Sequence, residues 1–100
     1  MLTRKTPAFL ATTVTLTGQG AEPVTFNVTF NNHKQQDVFE FTQANANNPE
    51  KTILFIVNAW EAEYELTAEG VLEAESDRPG LIVGLLSAFY ESRKVEVRKN

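Results

Sequence analysis

The sequence predicts an α+β domain, in which an N-terminal antiparallel β-hairpin precedes a bundle of about three to four helices. Two runs that alternate apolar with polar residues, joined by a glycine-containing turn, lie within residues 9–30. Helix-capping residues and apolar residues at three- and four-residue spacing follow over residues 32–93. A chain of 100 residues suits one core, so we expect a single domain that ends in a charged tail, residues 94–100.

The hairpin is predicted from two strands with a side-chain period of two. In the first strand one row of alternate positions is Leu10, Thr12, Val14 and Leu16, and the other row is Ala11, Thr13 and Thr15. Residues 18–22 have the glycine-rich composition of a turn. The second strand has one bulky apolar row, formed by Val24, Phe26, Val28 and Phe30. One face of the hairpin must therefore be covered by another part of the chain.

The first helix is predicted to start at Asn31 or Asn32, because asparagine caps helices well and Gln35 follows Asn32 at capping-box spacing. Its apolar positions then recur at helical spacing: Val38, Phe41 and Ala44. Residues 38–41 also fit a short strand, and the sequence leaves that alternative open.

A second helix is predicted from Pro49 to about Trp60, with Asn48 as its cap. Its inward stripe would comprise Ile53, Ile56, Val57 and Trp60. Leu54 and Phe55 would then lie on flanks that contact with a single layer leaves uncovered. The β-branched content keeps a buried strand as the alternative.

Two further helices follow an acidic linker. Thr67 is the predicted N-cap of a short helix, whose inward face would comprise Ala68, Val71 and Leu72. Gly70 weakens this helix, so packing must hold it in place. Pro79 and Gly80 interrupt the chain before a last helix that runs to about Arg93.

The last helix is apolar on more than one face. Its inward stripe is predicted to be Ile82, Leu85, Leu86 and Phe89. Leu81 and Ala88 form a second apolar line, and Val83 and Tyr90 a third. Either the fold covers this helix all round, or part of its surface binds another polypeptide. The candidate partner-binding residues of both apolar helices are Leu54, Phe55, Leu81, Val83, Ala88 and Tyr90.

Charge and composition exclude several classes of function. The net charge is −4, and seven acidic residues lie between Glu61 and Asp77 without an intervening Lys or Arg. Such a surface repels nucleic acid; it is either a solvated face or a docking surface for a basic partner. The longest apolar run, Ile53 to Val57, is far shorter than a membrane span. The lack of cysteine and of a charged-then-apolar leader at Met1 favours the cytoplasm.

The sequence offers no candidate catalytic residue. His33 is the one histidine, and no second histidine or cysteine stands at metal-ligand spacing from it. The serines lack the surroundings of a nucleophile, and the clustered carboxylates have similar environments that would not separate their pKa values. We therefore predict a protein that is not an enzyme and binds neither cofactor nor metal.

The C-terminal half resembles the tail assembly chaperones of long-tailed bacteriophages. The resemblance covers about forty residues and lies in an aliphatic run that ends at Trp60, a polar spacer, the cap at Thr67, the Pro79-Gly80 pair and the last helix. It implies a holdase in the host cytoplasm that binds the tape measure protein and shields its apolar surface until tube subunits polymerise. It also implies self-association, and a frameshifted longer form that engages the tail tube protein.

Two other functions stay open at this point. A structural tail-completion or connector subunit of the virion would also be small, cysteine-free and self-associating. An enzyme or regulator with an unrecognised site is the third class, although the chain has few reactive side chains.

Overall fold

The chain folds as an antiparallel sheet packed against helices, as a computed structural model of residues 1–99 shows. In chain order, the elements are β1 (Phe9–Gly18), β2 (Ala21–Asn31), α1 (Gln35–Ala44), α2 (Pro49–Ile56), β3 (Val57–Trp60), α3 (Ala68–Asp77) and α4 (Leu81–Arg93). The strand order is β1-β2-β3. The predicted α+β class, with an N-terminal hairpin followed by helices, is confirmed.

The register of the hairpin places the apolar residues of its two strands together. Val14 pairs with Phe26, and Leu10 pairs with Phe30, so that the bulky side chains of both strands share one face. Gly18, Gln19 and Gly20 all have positive φ angles, which the tight connection requires. The other face carries the hydroxyl and amide side chains and is largely exposed, whereas the apolar face is covered by the helices.

The predicted asparagine cap of α1 is wrong. Lys34 occupies the N-cap position and makes no side-chain capping bond. Asn31 instead ends β2 and donates to the carbonyl of Phe55 at 3.1 Å. Asn32 donates to the carbonyl of Pro7 at 2.8 Å and accepts a bond from Arg93. These two side chains thus connect distant segments at one end of the sheet. Their hydrogen-bonding groups are occupied by these partners and do not cap α1. Residues 38–41 are helical, so the strand alternative is also wrong.

The second predicted helix ends four residues early. Val57 adopts an extended conformation, and its N–H makes the last helical bond, to the carbonyl of Ile53. Residues 57–60 then pair with the open edge of β2, with Trp60 opposite Val28. The helix is therefore right for 49–56, and the strand alternative is right for 57–60. Pairing with a free strand edge supplies backbone hydrogen bonds that outweigh helix continuation through β-branched Val57.

The predicted cap of α3 is confirmed, because the Thr67 hydroxyl accepts from the Gly70 N–H at 3.1 Å. The predicted inward position of Leu72 is wrong, since its side chain is exposed. The buried face comprises Gly70, Val71 and Ala74. Gly80 has a φ of 101° and precedes α4, which runs to Arg93 as predicted.

The core lies between the apolar face of the sheet and the helices. At its centre the rings of Phe30 and Phe89 meet edge to face, with 5.5 Å between their centroids. Ile53, Ile56 and Leu85 are fully buried around this pair. A single cluster of buried side chains therefore joins the hairpin, α2 and α4. In the described part of the chain, no helix is long and apolar enough to cross a bilayer.

Candidate partner-binding surfaces

The six sequence-predicted binding residues occupy three kinds of environment. Val83 is 68% exposed and Tyr90 is 41% exposed. Leu54 and Ala88 are partly buried and pack against the core. Leu81 is only 5% exposed, so its predicted place on an outer line is wrong. It follows Gly80 directly, and the first turn of α4 points its side chain into the core.

Phe55 packs against other residues of the same molecule. Its ring stacks on His33, with 3.9 Å between centroids, and on Phe41, with 4.2 Å. Its carbonyl also lies 2.9 Å from His33 Nε2. These contacts give His33 a structural role at the junction of β2, α1 and α2, and they cover much of the ring that was predicted to face a partner.

Val83 and Tyr90 are exposed on the same side of α4, and Tyr90 also shares a groove with a residue of α1. They are seven residues apart and so lie nearly in line along α4. Phe39, which is 54% exposed, lies across a shallow groove of about 440 Å³ that Tyr90 and two glutamines of α1 also line. We call Val83, Tyr90 and Phe39 the outer apolar surface.

Phe39 is not among the binding residues predicted from the sequence. With Val38 buried and Phe41 also directed inward, helical spacing places Phe39 on the opposite face of α1. The ambiguity between helix and strand over residues 38–41 concealed that signal, because a strand would have assigned its faces differently.

The Tyr90 ring packs against a residue of the core. It meets the buried Phe89 ring edge to face, with 5.5 Å between centroids. Phe89 also contacts the Arg93 guanidinium, which lies 5.9 Å from the ring centre. The contact with buried Phe89 therefore restricts the Tyr90 ring, and a partner that packs on Tyr90 would meet an already ordered side chain.

A second concave surface lies at the other end of the molecule, with a volume of about 310 Å³. Its large apolar lining residues are Leu16, Val24, Phe26, Trp60, Tyr64 and Leu81. Its charged lining residues are Glu61, Glu63 and Arg78. We call it the Trp60 groove.

Local hydrogen bonds shape the Trp60 groove. The Trp60 Nε1–H donates to the Tyr64 carbonyl at 3.0 Å, which closes the loop after β3. The Tyr64 hydroxyl donates to Asp77 Oδ2 at 2.7 Å. That bond, with a smaller contribution from desolvation, raises the pKa of Tyr64 above its ordinary value of 10.0. Tyr64 is therefore a neutral hydrogen-bond donor at physiological pH.

Glu61 has a structural bond, whereas Glu63 does not have one within the described residues. Glu61 Oε1 accepts from the Asn27 N–H at 3.0 Å, and the Glu61 N–H donates to the Asn27 carbonyl at 3.0 Å. Glu63 is exposed and adds negative charge to the groove. The groove thus combines aromatic and aliphatic side chains with two carboxylates and one guanidinium.

Neither surface has the composition of a reaction centre. Within residues 1–99, no cluster of three or more His, Cys, Asp or Glu side chains could hold a metal ion. His33 is engaged with Phe55, as described above. What both surfaces can supply is apolar contact area with a few polar groups at its margin, which is the chemistry of binding.

Comparisons with family models, with curated proteins and with solved structures found no match to this chain. The resemblance of the C-terminal half to tail assembly chaperones thus remains a prediction from the sequence.

Proposed function

We propose that this protein is a non-catalytic tail assembly chaperone of a long-tailed bacteriophage, which binds and shields the tape measure protein in the host cytoplasm. The observation that carries the proposal is the outer apolar surface. Val83, Tyr90 and Phe39 are exposed although the same helices contribute other side chains to the buried core. A side chain that the core does not use is available to cover apolar surface on another polypeptide.

The size of this surface suits a transient holder. Full burial of one large apolar side chain contributes about 1.5–3 kcal/mol to the free energy of binding. Association costs several kcal/mol in lost translational and rotational freedom. Three such side chains give one copy only weak affinity. Several copies on one long helical partner would hold it by avidity, and they would be displaced one by one as tube subunits arrive.

Co-expression tests the proposal directly. The chain is produced together with the long helical product encoded just downstream, and we expect that product to become soluble and to co-elute with the chain. Continued insolubility without a complex would contradict the proposal. The variant Val83→Ser/Tyr90→Ser should lose most of the complex, because both changes remove exposed apolar area and neither replaces a residue of the buried core.

Leu72→Ser is the matched control. Leu72 is also exposed and apolar, but it lies on α3. Its replacement should leave solubilisation unchanged, whereas an equal loss in both variants would show that binding does not depend on the outer apolar surface.

Analysis of finished particles separates the chaperone from a structural subunit. A chaperone leaves as the tube forms, so mass spectrometry of purified virions should not detect the chain. Stoichiometric retention would contradict the proposal and favour the tail-completion or connector function.

A further inference from the structure

The residues after α4 form an exposed segment with a strand-like pattern. Val95 is 85% exposed and Val97 is 92% exposed, while Lys94, Glu96 and Arg98 alternate with them. In an extended conformation this alternation puts both valines on one side. Lys94 forms an ion pair with Glu91 at 2.8 Å, and Arg98 and Lys99 follow with two further positive charges. We call residues 94–99 the basic tail.

The Trp60 groove complements the basic tail in both polarity and charge. Its aromatic and aliphatic lining offers contact area for two valines, and Val24 at its margin is itself exposed. Glu61 and Glu63 supply negative charge beside that lining. The acidic linker and α3 continue the negative surface, with five further carboxylates between Glu65 and Asp77.

The tail reaches at most the near edge of the groove of its own molecule, where Trp60 lies opposite Val28. Arg93, the last residue of α4, donates from Nε to Asn32 Oδ1 at 2.8 Å and is therefore held beyond the Asn31 end of β2. The groove residue Val24 lies seven residues away along β2, a distance of about 24 Å. Leu81, another groove residue, lies about 18 Å from Arg93 along α4. Val97, the second of the two valines, lies at most about 14 Å from Arg93 when the tail is fully extended, which is short of both Val24 and Leu81.

We propose that the basic tail of one copy docks in the Trp60 groove of a second copy of this chain. Val95 and Val97 pack against the apolar lining, and Arg98 and Lys99 lie beside Glu61 and Glu63. Because the tail begins beside the Asn31 end of β2 and the groove lies toward the Val24 end, the contact is head to tail. The resulting dimer still presents one free tail and one free groove, so the assembly grows as an open chain.

The first test measures self-association by light scattering or sedimentation at low ionic strength. We expect the molar mass of the wild-type chain to rise with concentration, and the rise to weaken with added salt because the charges are exposed. Monomeric behaviour up to about 1 mM would overturn the proposal. The tail variant Val95→Asp/Val97→Asp should need at least a tenfold higher concentration to associate, while Glu96→Gln should behave as wild type.

A mixing experiment tests the head-to-tail geometry. The groove variant Val24→Arg/Glu63→Arg changes two exposed residues, so it should fold and remain monomeric, as should the tail variant. A mixture of the two contains one intact tail and one intact groove per pair, and we expect it to form heterodimers and nothing larger. A mixture without dimers, or either variant associating alone like wild type, would overturn the proposal.

Trp60 reports where the tail binds. It is the one tryptophan of the chain and lines the groove, so its fluorescence should shift to shorter wavelength as heterodimers form. Dimers without that shift would place the tail elsewhere, for example on the open edge of β1, and would overturn the groove assignment. Because these experiments contain no second protein, their failure leaves the tape measure proposal to its own co-expression test.

Discussion

At Gly70 the absence of a side chain allows two backbone segments to touch. A Cβ atom placed there would overlap the carbonyl oxygen of Glu65, in the loop that leads into α3. Alanine is the better helix former by about 1 kcal/mol, but overpacking against backbone costs about 1–3 kcal/mol and more where nothing can move. We therefore predict that Gly70→Ala lowers the free energy of unfolding by about 2 kcal/mol, measured by urea denaturation.

Gly84→Ala is the control for this prediction, because Gly84 is also helical and a Cβ atom there would meet nothing within 4 Å. Helix propensity alone then acts, and the substitution should raise the free energy of unfolding by up to about 1 kcal/mol. If Gly70→Ala stabilised the protein like Gly84→Ala, the close approach of Glu65 would not exist.

At the scale of elements, α4 is capped by a residue of the preceding helix. Gly80, its N-cap residue, has no side chain to accept a hydrogen bond. The Glu75 carboxylate takes the place of a capping side chain, because it accepts hydrogen bonds from the Gly80 N–H at 2.7 Å and from the Ile82 N–H at 2.9 Å. A negative charge at the start of a helix also interacts favourably with the helix dipole. Glu75→Ala should lower the free energy of unfolding by about 1–2 kcal/mol.

Glu73→Ala is the matched control for the cap, since it removes the same charge from an exposed position on the same helix. The free energy of unfolding of Glu73→Ala, measured by thermal or urea denaturation, should stay within about 0.5 kcal/mol of the wild-type value. Equal losses in both variants would mean that Glu75 acts only through the net charge of α3.

Local patterns predicted those features whose causes are local. Thr67 caps α3 because the acceptor and the N–H it satisfies are three residues apart, and the hairpin follows from a period of two and a glycine-rich turn. Asn32 carries the same capping chemistry, yet it bonds to Pro7 and Arg93, which lie far away in the sequence. No local signal could have indicated those partners.

The end of α2 shows the same limit for a whole element. Residues 53, 56, 57 and 60 fit a helical stripe, but β2 offers an open edge that only the tertiary structure reveals.

For the candidate site, helical spacing separated Val83 and Tyr90 from the core stripe of α4, in agreement with their exposure. It misplaced Leu81, because whether the first turn of a helix faces inward depends on how the chain enters it.

At the scale of the whole molecule, the apolar surface that the core leaves uncovered lies at separate places. The outer apolar surface lies on α4 and α1, and the Trp60 groove lies beside the hairpin turn and α3. The exposed face of the sheet between β1 and β2 is polar, with Thr13 bonded to Asn27 and Thr15 near Thr25. This separation allows one surface to serve a different partner while the other joins copies of the chain.

The core that separates these surfaces is continuous, which predicts a single cooperative unfolding transition for the hairpin and the helices. Phe30 of β2 and Phe89 of α4 are both fully buried and contact each other, so neither part retains its core without the other. Phe30→Leu should therefore lower the urea midpoint by the same amount in helical circular dichroism and in Trp60 fluorescence, measured in the Val95→Asp/Val97→Asp background at low concentration. Helical signal that persists after the Trp60 transition would instead show that residues 32–93 fold independently of the hairpin.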